Sequence, residues 1–127
     1  MANPISEELQ TGTVGELLVQ LRLLQHGVQA APPLRDSGND LIALNGFSFR
    51  CVQVKTTTSA LPTWPSVDKR YHLLAIVRLV RTEDSLLLDD SQIYLLKKEE
   101  LNGVKRSWEG LTPFLLTSGR VAELFAA

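Results

Sequence analysis

Apolar positions between Thr13 and His26 recur with helical spacing. Val14, Leu17, Leu18, Leu21 and Leu24 fall at i, i+3, i+4, i+7 and i+10, and Gly27 supplies a stop, so the spacing predicts a helix over Thr13 to about His26. The period then changes. Leu41 to Leu44 and Phe47 to Lys55 are short β-rich runs on either side of Asn45-Gly46, a strong signal for a two-residue hairpin turn. Thr56 to Arg70, with Pro62 and Pro65, is turn-rich and reads as a loop within one domain. Beyond it, Tyr71 to Arg81 and Ile93 to Leu96 are nearly continuous apolar runs, as expected of strands buried on both faces. Lys97 to Leu101 and Gly119 to Ala126 read as short helices, the second with Ser118 as N-cap. A helix, then strands, then helices predicts an α/β or α+β domain with a mixed sheet.

Composition limits the class. The 127 residues contain 44% hydrophobic and 21% charged residues and one cysteine, which describes a single domain over 1–127 with no internal disulfide. Four basic residues face five acidic ones up to Lys55, and nine face nine beyond it, so neither half is a charged tail. A nucleic-acid binder held by bulk charge is excluded on that balance. The N-terminus has no basic and apolar leader, and the longest apolar run, Leu73 to Val77, ends at Arg78. The sequence reads as a cytoplasmic protein with no membrane span.

Most catalytic sets are missing. Two histidines, His26 and His72, and the lone Cys51 cannot make a zinc site, and there is no Gly-rich phosphate loop. Cys51 occupies an apolar strand position, where a thiol acts as a small hydrophobe. His26 lies where a helix C-terminus favours a cation, and His72 opens a strand with no identifiable partner.

The hairpin carries the candidate chemistry. An Asn45-Gly46 turn pairs Leu44 with Phe47, Ile42 with Phe49 and Asp40 with Cys51, so these side chains share one face. Gln53 and Lys55 continue it. A face that begins Phe47, Phe49, Cys51 reads as a core face, yet it ends in an amide and an ammonium beside a carboxylate. Such groups need a hydrogen-bond network or a bound ion. Asp40 and Gln53 are diagonal neighbours, about 6–8 Å apart, close enough for both side-chain oxygens to reach one cation with ligand distances of roughly 2.0–2.5 Å. On the helix, Thr13, Glu16 and Gln20 form a polar stripe flanked by Leu17, Leu23 and Leu24, which sets Glu16 among apolar neighbours. Thr13-Val14-Gly15-Glu16 also fits a capping box, so Glu16 has a structural as well as a functional reading. Asp40 could equally cap a turn, and Lys55 could snorkel from a strand end.

Glu16 on a helix ending at Gly27, then Ser37-Gly38-Asn39-Asp40, then Gln53-Val54-Lys55-Thr56 resemble the PD-(D/E)XK nuclease superfamily with its restriction-endonuclease-like fold. The likeness spans residues 11–57, with only a pattern of strands over 71–101. It is nearest to a Gln-x-Lys branch that includes intron-encoded homing endonucleases, and more distant from Holliday junction resolvases. Asn39 stands where the family has Pro, and Gln53 where it has Asp or Glu.

The resemblance implies a DNA endonuclease using Mg²⁺, with Mn²⁺ as substitute. Asp40, the Gln53 side-chain oxygen, the Val54 carbonyl and Glu16 would hold the metal, with Lys55 beside the attacking water and the scissile phosphate. Trp64, Lys69 and Arg70 are candidate nucleic-acid contacts, and Lys97-Lys98 and Lys105-Arg106 are further basic pairs. With a net charge of −1, DNA affinity is expected from a local basic cleft or from a homodimer or larger homo-oligomer. The alternative is a degenerate nuclease-fold domain that binds nucleic acid or protein without cleaving.

Overall fold

The Ser6 side chain accepts a hydrogen bond from the Leu9 amide at 3.1 Å, and Glu7 and Glu8 fill the first turn, where carboxylates meet the positive end of the helix dipole. Helix α1 therefore begins well before the apolar repeat and runs Glu7–Gln25 in the computed structural model, which describes residues 5–34, 40–64 and 70–126. Thr13 to Glu16 is helix interior, so the capping box does not form. His26 is the C-cap, and Gly27 follows at φ +80°.

The buried line on α1 is Gly15, Leu18, Val19 and Leu23. Leu17, Leu21 and Leu24 of the expected core stripe are 56%, 53% and 59% exposed. Apolar residues occur on more than one side of this helix, so periodicity alone could not choose the packed side. Close approach does: a Cβ at Gly15 would come within 2.7 Å of the Thr56 Cβ.

Five strands form one mixed sheet in the order β1 (Gln29–Ala31), β2 (Leu41–Asn45), β3 (Ser48–Thr57), β4 (Leu73–Arg78) and β5 (Gln92–Lys97). Only β3 and β4 pair in parallel. The hairpin turn is Gly46-Phe47, not Asn45-Gly46. Gly46 takes φ +63°, whereas an Asn-Gly turn would require Asn45 in the left-handed region, which no non-glycine among the described residues adopts. Asn45 pairs with Ser48, Leu44 with Phe49 and Ile42 with Cys51. The register is thus two residues from the expected one, and an even shift leaves every side chain on its expected face.

That face is not the core face over β2. Ile42, Leu44 and Phe49 are 36%, 45% and 54% exposed, while Leu41, Ala43 and Val52 on the other side are fully buried beneath α1. Strands β4 and β5 are covered on both sides, as their apolar runs predict. Leu73, Ala75, Val77 and Leu95 join the α1 core, whereas Leu74, Ile76, Tyr94 and Leu96 pack under Leu101, Trp108 and Leu111. The expected Tyr71–Arg81 strand shortens to β4. Lys98–Leu101 forms a 3₁₀ turn, and two short helices follow, α2 (Trp108–Leu111) and α3 (Ser118–Leu124). Thr117, not Ser118, caps α3 by accepting from the Arg120 amide at 3.1 Å. No helix of the described residues is long and apolar enough to cross a membrane.

Candidate active site

Strand β2 begins at Leu41, one residue after the last antiparallel bond, from the Asp40 amide to the Val52 carbonyl at 3.2 Å. Beyond that point β3 needs another acceptor, and the Asp40 side chain supplies it. One carboxylate oxygen of Asp40, Oδ2, takes the Val54 N–H at 2.8 Å and the Gln53 amide Nε2–H at 2.9 Å. Asp40 thus lies directly across from Gln53, following from the shifted register, where a diagonal relation was expected. Among the described residues, the arrangement leaves Gln53 Oε1 buried and without a hydrogen-bond partner. An unsatisfied buried amide oxygen is costly, on the order of 1–3 kcal/mol, unless something binds it.

Glu16 approaches from α1, held there by the contact of Gly15 with Thr56. Burial, first, and then the charge of Asp40 and a hydrogen bond with it raise the Glu16 carboxyl above the ordinary carboxylate range. Its neighbours are polar groups of the cleft, not the flanking leucines, because Leu17 and Leu24 point to solvent. Glu16, Asp40, Gln53, Val54, Lys55 and Trp64 all line one cleft of about 890 Å³, together with Glu7, Glu8 and Thr56. Its lining comes mainly from α1, the residue before β2 and the second half of β3. Lys55 is exposed on its wall and has no ion-pair partner within 4.0 Å among the described residues.

Other expected residues fall elsewhere. Ser37, Gly38, Asn39 and Lys69 lie outside the described residues. Arg70 is exposed away from this cleft, in a hollow with Cys51, Tyr71, His72 and Lys98. His72 does have a partner: its Nδ1 accepts the Cys51 N–H at 2.8 Å. Two residues matter here beyond their sequence reading, which has Gly15 only as part of a capping box and Arg106 only as one of a basic pair. Gly15 was visible as an isolated glycine inside a helical pattern, a signal of close packing. Arg106 places its guanidinium 4.4 Å from the Trp64 ring centre, bringing a cation to a residue of the cleft, a long-range contact with no local signal.

Oxygen donors therefore converge: Asp40, Glu16 and the unpartnered Gln53 amide oxygen, beside the backbone of Val54. This set suits a hard cation such as Mg²⁺, which takes oxygen ligands and retains water. Among the described residues no three His, Cys, Asp or Glu side chains form a metal-binding group, and the third side-chain oxygen beside Asp40 and Glu16 is an uncharged amide.

No family model matches the sequence, and no curated protein matches it significantly. The structure does have a relative in shape, the bacterial homing endonuclease I-Ssp6803I, at a TM-score of 0.63 and 14% identity over 95% of this chain and 94% of that one. The fold is nuclease-like: an N-terminal helix, a five-stranded mixed sheet and short C-terminal helices.

Proposed function

We propose that this chain is a metal-dependent DNA endonuclease of the PD-(D/E)XK type. The nuclease-like fold supports a nucleic-acid substrate, and the buried, unpartnered Gln53 Oε1 beside Asp40 and Glu16 carries the case for a metal. Charge in the cleft supports the same reading. Among the described residues that line it, Glu7, Glu8, Glu16 and Asp40 meet one cation, Lys55, with Glu7 also 3.6 Å from Arg81, so a phosphodiester would be repelled until a divalent cation offsets the carboxylates.

Asp40, Gln53, Glu16 and the Val54 carbonyl would hold Mg²⁺, or Mn²⁺ in its place. The bound cation would neutralise charge on the phosphoryl oxygens and lower the pKa of a water. The chain's own residues do the rest. Asp40 fixes the end of β3 through the Val54 amide and orients the Gln53 amide, so the donor set is held by backbone geometry. Lys55, exposed on the wall, places its ammonium where negative charge develops on the phosphate. Trp64, with Arg106 stacked on it, offers an apolar and cationic surface to the strand. A homodimer or larger homo-oligomer belongs to this reading, because a chain of charge −1 gains DNA contacts by pairing; sedimentation of the purified protein tests it.

The test is cleavage of supercoiled and linear DNA with Mg²⁺ or Mn²⁺. Wild type is expected to nick or cut, and Asp40→Ala and Lys55→Ala are expected to lose at least about a hundredfold of that activity while remaining folded. Unchanged cleavage in both variants overturns the assignment. The second reading, a non-cleaving binding module, draws support from the shortage of carboxylates. It predicts DNA binding with no response to Mg²⁺.

A further inference from the structure

Upstream of Gln53, the face of β3 that carries Gln53 and Lys55 continues to Cys51, one step of roughly 6–7 Å along the strand. There the His72 backbone and ring clamp the strand. The His72 amide donates to the Cys51 carbonyl at 2.9 Å, its Nδ1 accepts the Cys51 N–H at 2.8 Å, and Phe49 meets the ring edge-on at 6.0 Å. Two adjoining hollows open around this clamp. One, of about 320 Å³, is lined by Cys51, Arg70, Tyr71, His72 and Lys98. The other, of about 400 Å³, shares Tyr71, His72 and Lys98 and adds Arg50 and Lys97.

The charge here is opposite to that of the cleft. Among the described residues lining the hollows, Arg50, Arg70, Lys97 and Lys98 stand against Glu99 and Glu123; Glu123 is bound by Arg120 at 2.8 Å, and Lys97 also lies beside Glu100. A polyanion finds carboxylates at the cleft and cations one strand step away. Since the whole chain carries −1, attraction must come from such a local excess.

We propose that Arg70, His72 and Lys98, with Arg50 and Lys97 behind them, form a phosphate track that holds the backbone of duplex DNA beside the bond presented to the cleft. This rests on the endonuclease reading for its substrate. The cleft handles the cation and the reacting phosphate; the track handles the phosphates next to it. Contacts of this kind position a duplex without reading its bases, so loss of the track should weaken binding uniformly across sequences.

The experiment measures binding of a fluorescein-labelled DNA duplex of mixed sequence in chelator, from about 50 to 200 mM salt. Arg70→Gln/Lys98→Gln is compared with wild type and with Gln25→Glu/Gln29→Glu, which makes the same change in net charge away from the track. The track variant should bind about tenfold more weakly at low salt, with a salt slope shallower by roughly two, while the control stays within about twofold of wild type. Equal loss in both double variants would mean a bulk-charge effect and overturn the track. An unchanged affinity and slope in the track variant, or no binding by wild type, would overturn it as well. Cleavage with Mg²⁺ reads the endonuclease assignment separately: a track variant with weakened binding, in a protein that never cuts, leaves the track standing and removes only the nuclease.

Discussion

Two polar clusters, one at Arg120 against β5 and one at Asp40 against β3, are built to opposite rules. Around Arg120 every charge is answered. Its guanidinium donates to the Leu95 carbonyl at 3.1 Å, pairs with Glu123 at 2.8 Å and with Glu100, and stacks 5.2 Å from the Phe114 ring centre. Burial pushes the Glu100 carboxyl upward, but the hydrogen bond from Arg120, the Lys97 amide and the two cations outweigh it and hold the carboxyl below its ordinary range. Around Asp40 the balance is reversed. Two carboxylates adjoin, Glu16 is held above its ordinary range, and an amide oxygen is left without a partner. The first cluster fastens α3 and the Lys98–Leu101 turn to β5. The second adds strain to the folded chain, the pattern of a site prepared for a ligand.

The largest stability effect should come from breaking the satisfied cluster. Arg120→Met removes the guanidinium that bridges Glu100 and Glu123 and should lower stability by about 3 kcal/mol in chemical denaturation, because it strips a partly buried carboxylate of its ion pair. Cleavage per folded molecule should be retained. A loss of activity without loss of stability would mean that the two clusters are not separate in role.

Gly15→Ala comes next. A methyl against Thr56 must push α1 away from β3, at a stability loss of roughly 1–3 kcal/mol, and it carries Glu16 with it. Cleavage should fall along with stability here, in contrast to Arg120→Met. Full activity in a destabilised Gly15→Ala would show that the seating of Glu16 is unimportant.

The smallest effect is one of pH. In chelator, Glu16 binds its proton more tightly in the folded chain than in the unfolded one. Its unfavourable contribution is therefore present above its raised folded pKa and fades as pH falls toward 4.5. Glu100 has the opposite sign: its stabilisation is present above 4.5 and is lost as pH falls through its lowered folded value. Glu16→Gln should accordingly be more stable than wild type at neutral pH, by a fraction of about 1 kcal/mol, and the difference should close near pH 4.5. A difference independent of pH would contradict the strain assigned to Glu16.

The contrast also explains what the sequence could reveal. The faces of β2 and β3 were legible because side-chain alternation survives an even slip in register, so Asp40, Gln53 and Lys55 could be placed together even though the turn is Gly46-Phe47. The buried strands β4 and β5 were legible from their continuous apolar runs. The start of α1 was not, because Ser6 and the first-turn glutamates precede the apolar repeat. Its packed side was obscured by leucines at 17, 21 and 24 that face solvent. The three-residue strand β1 carries too little pattern to detect. The Arg120–Glu100 pair and the Arg106–Trp64 stack join residues 20 and 42 positions apart, and neither leaves a local signature.

A cation shared by Gln53 Oε1 and Asp40 would show itself in melting curves taken with and without Mg²⁺. A cation that binds only the folded state raises its stability by mass action. Wild type should melt higher with Mg²⁺. Gln53→Glu should start lower in chelator, because a third carboxylate joins Asp40 and Glu16, and should gain more from Mg²⁺ than wild type does. Asp40→Ala should gain nothing. A metal response no larger in Gln53→Glu than in wild type, or an undiminished response in Asp40→Ala, would contradict the account.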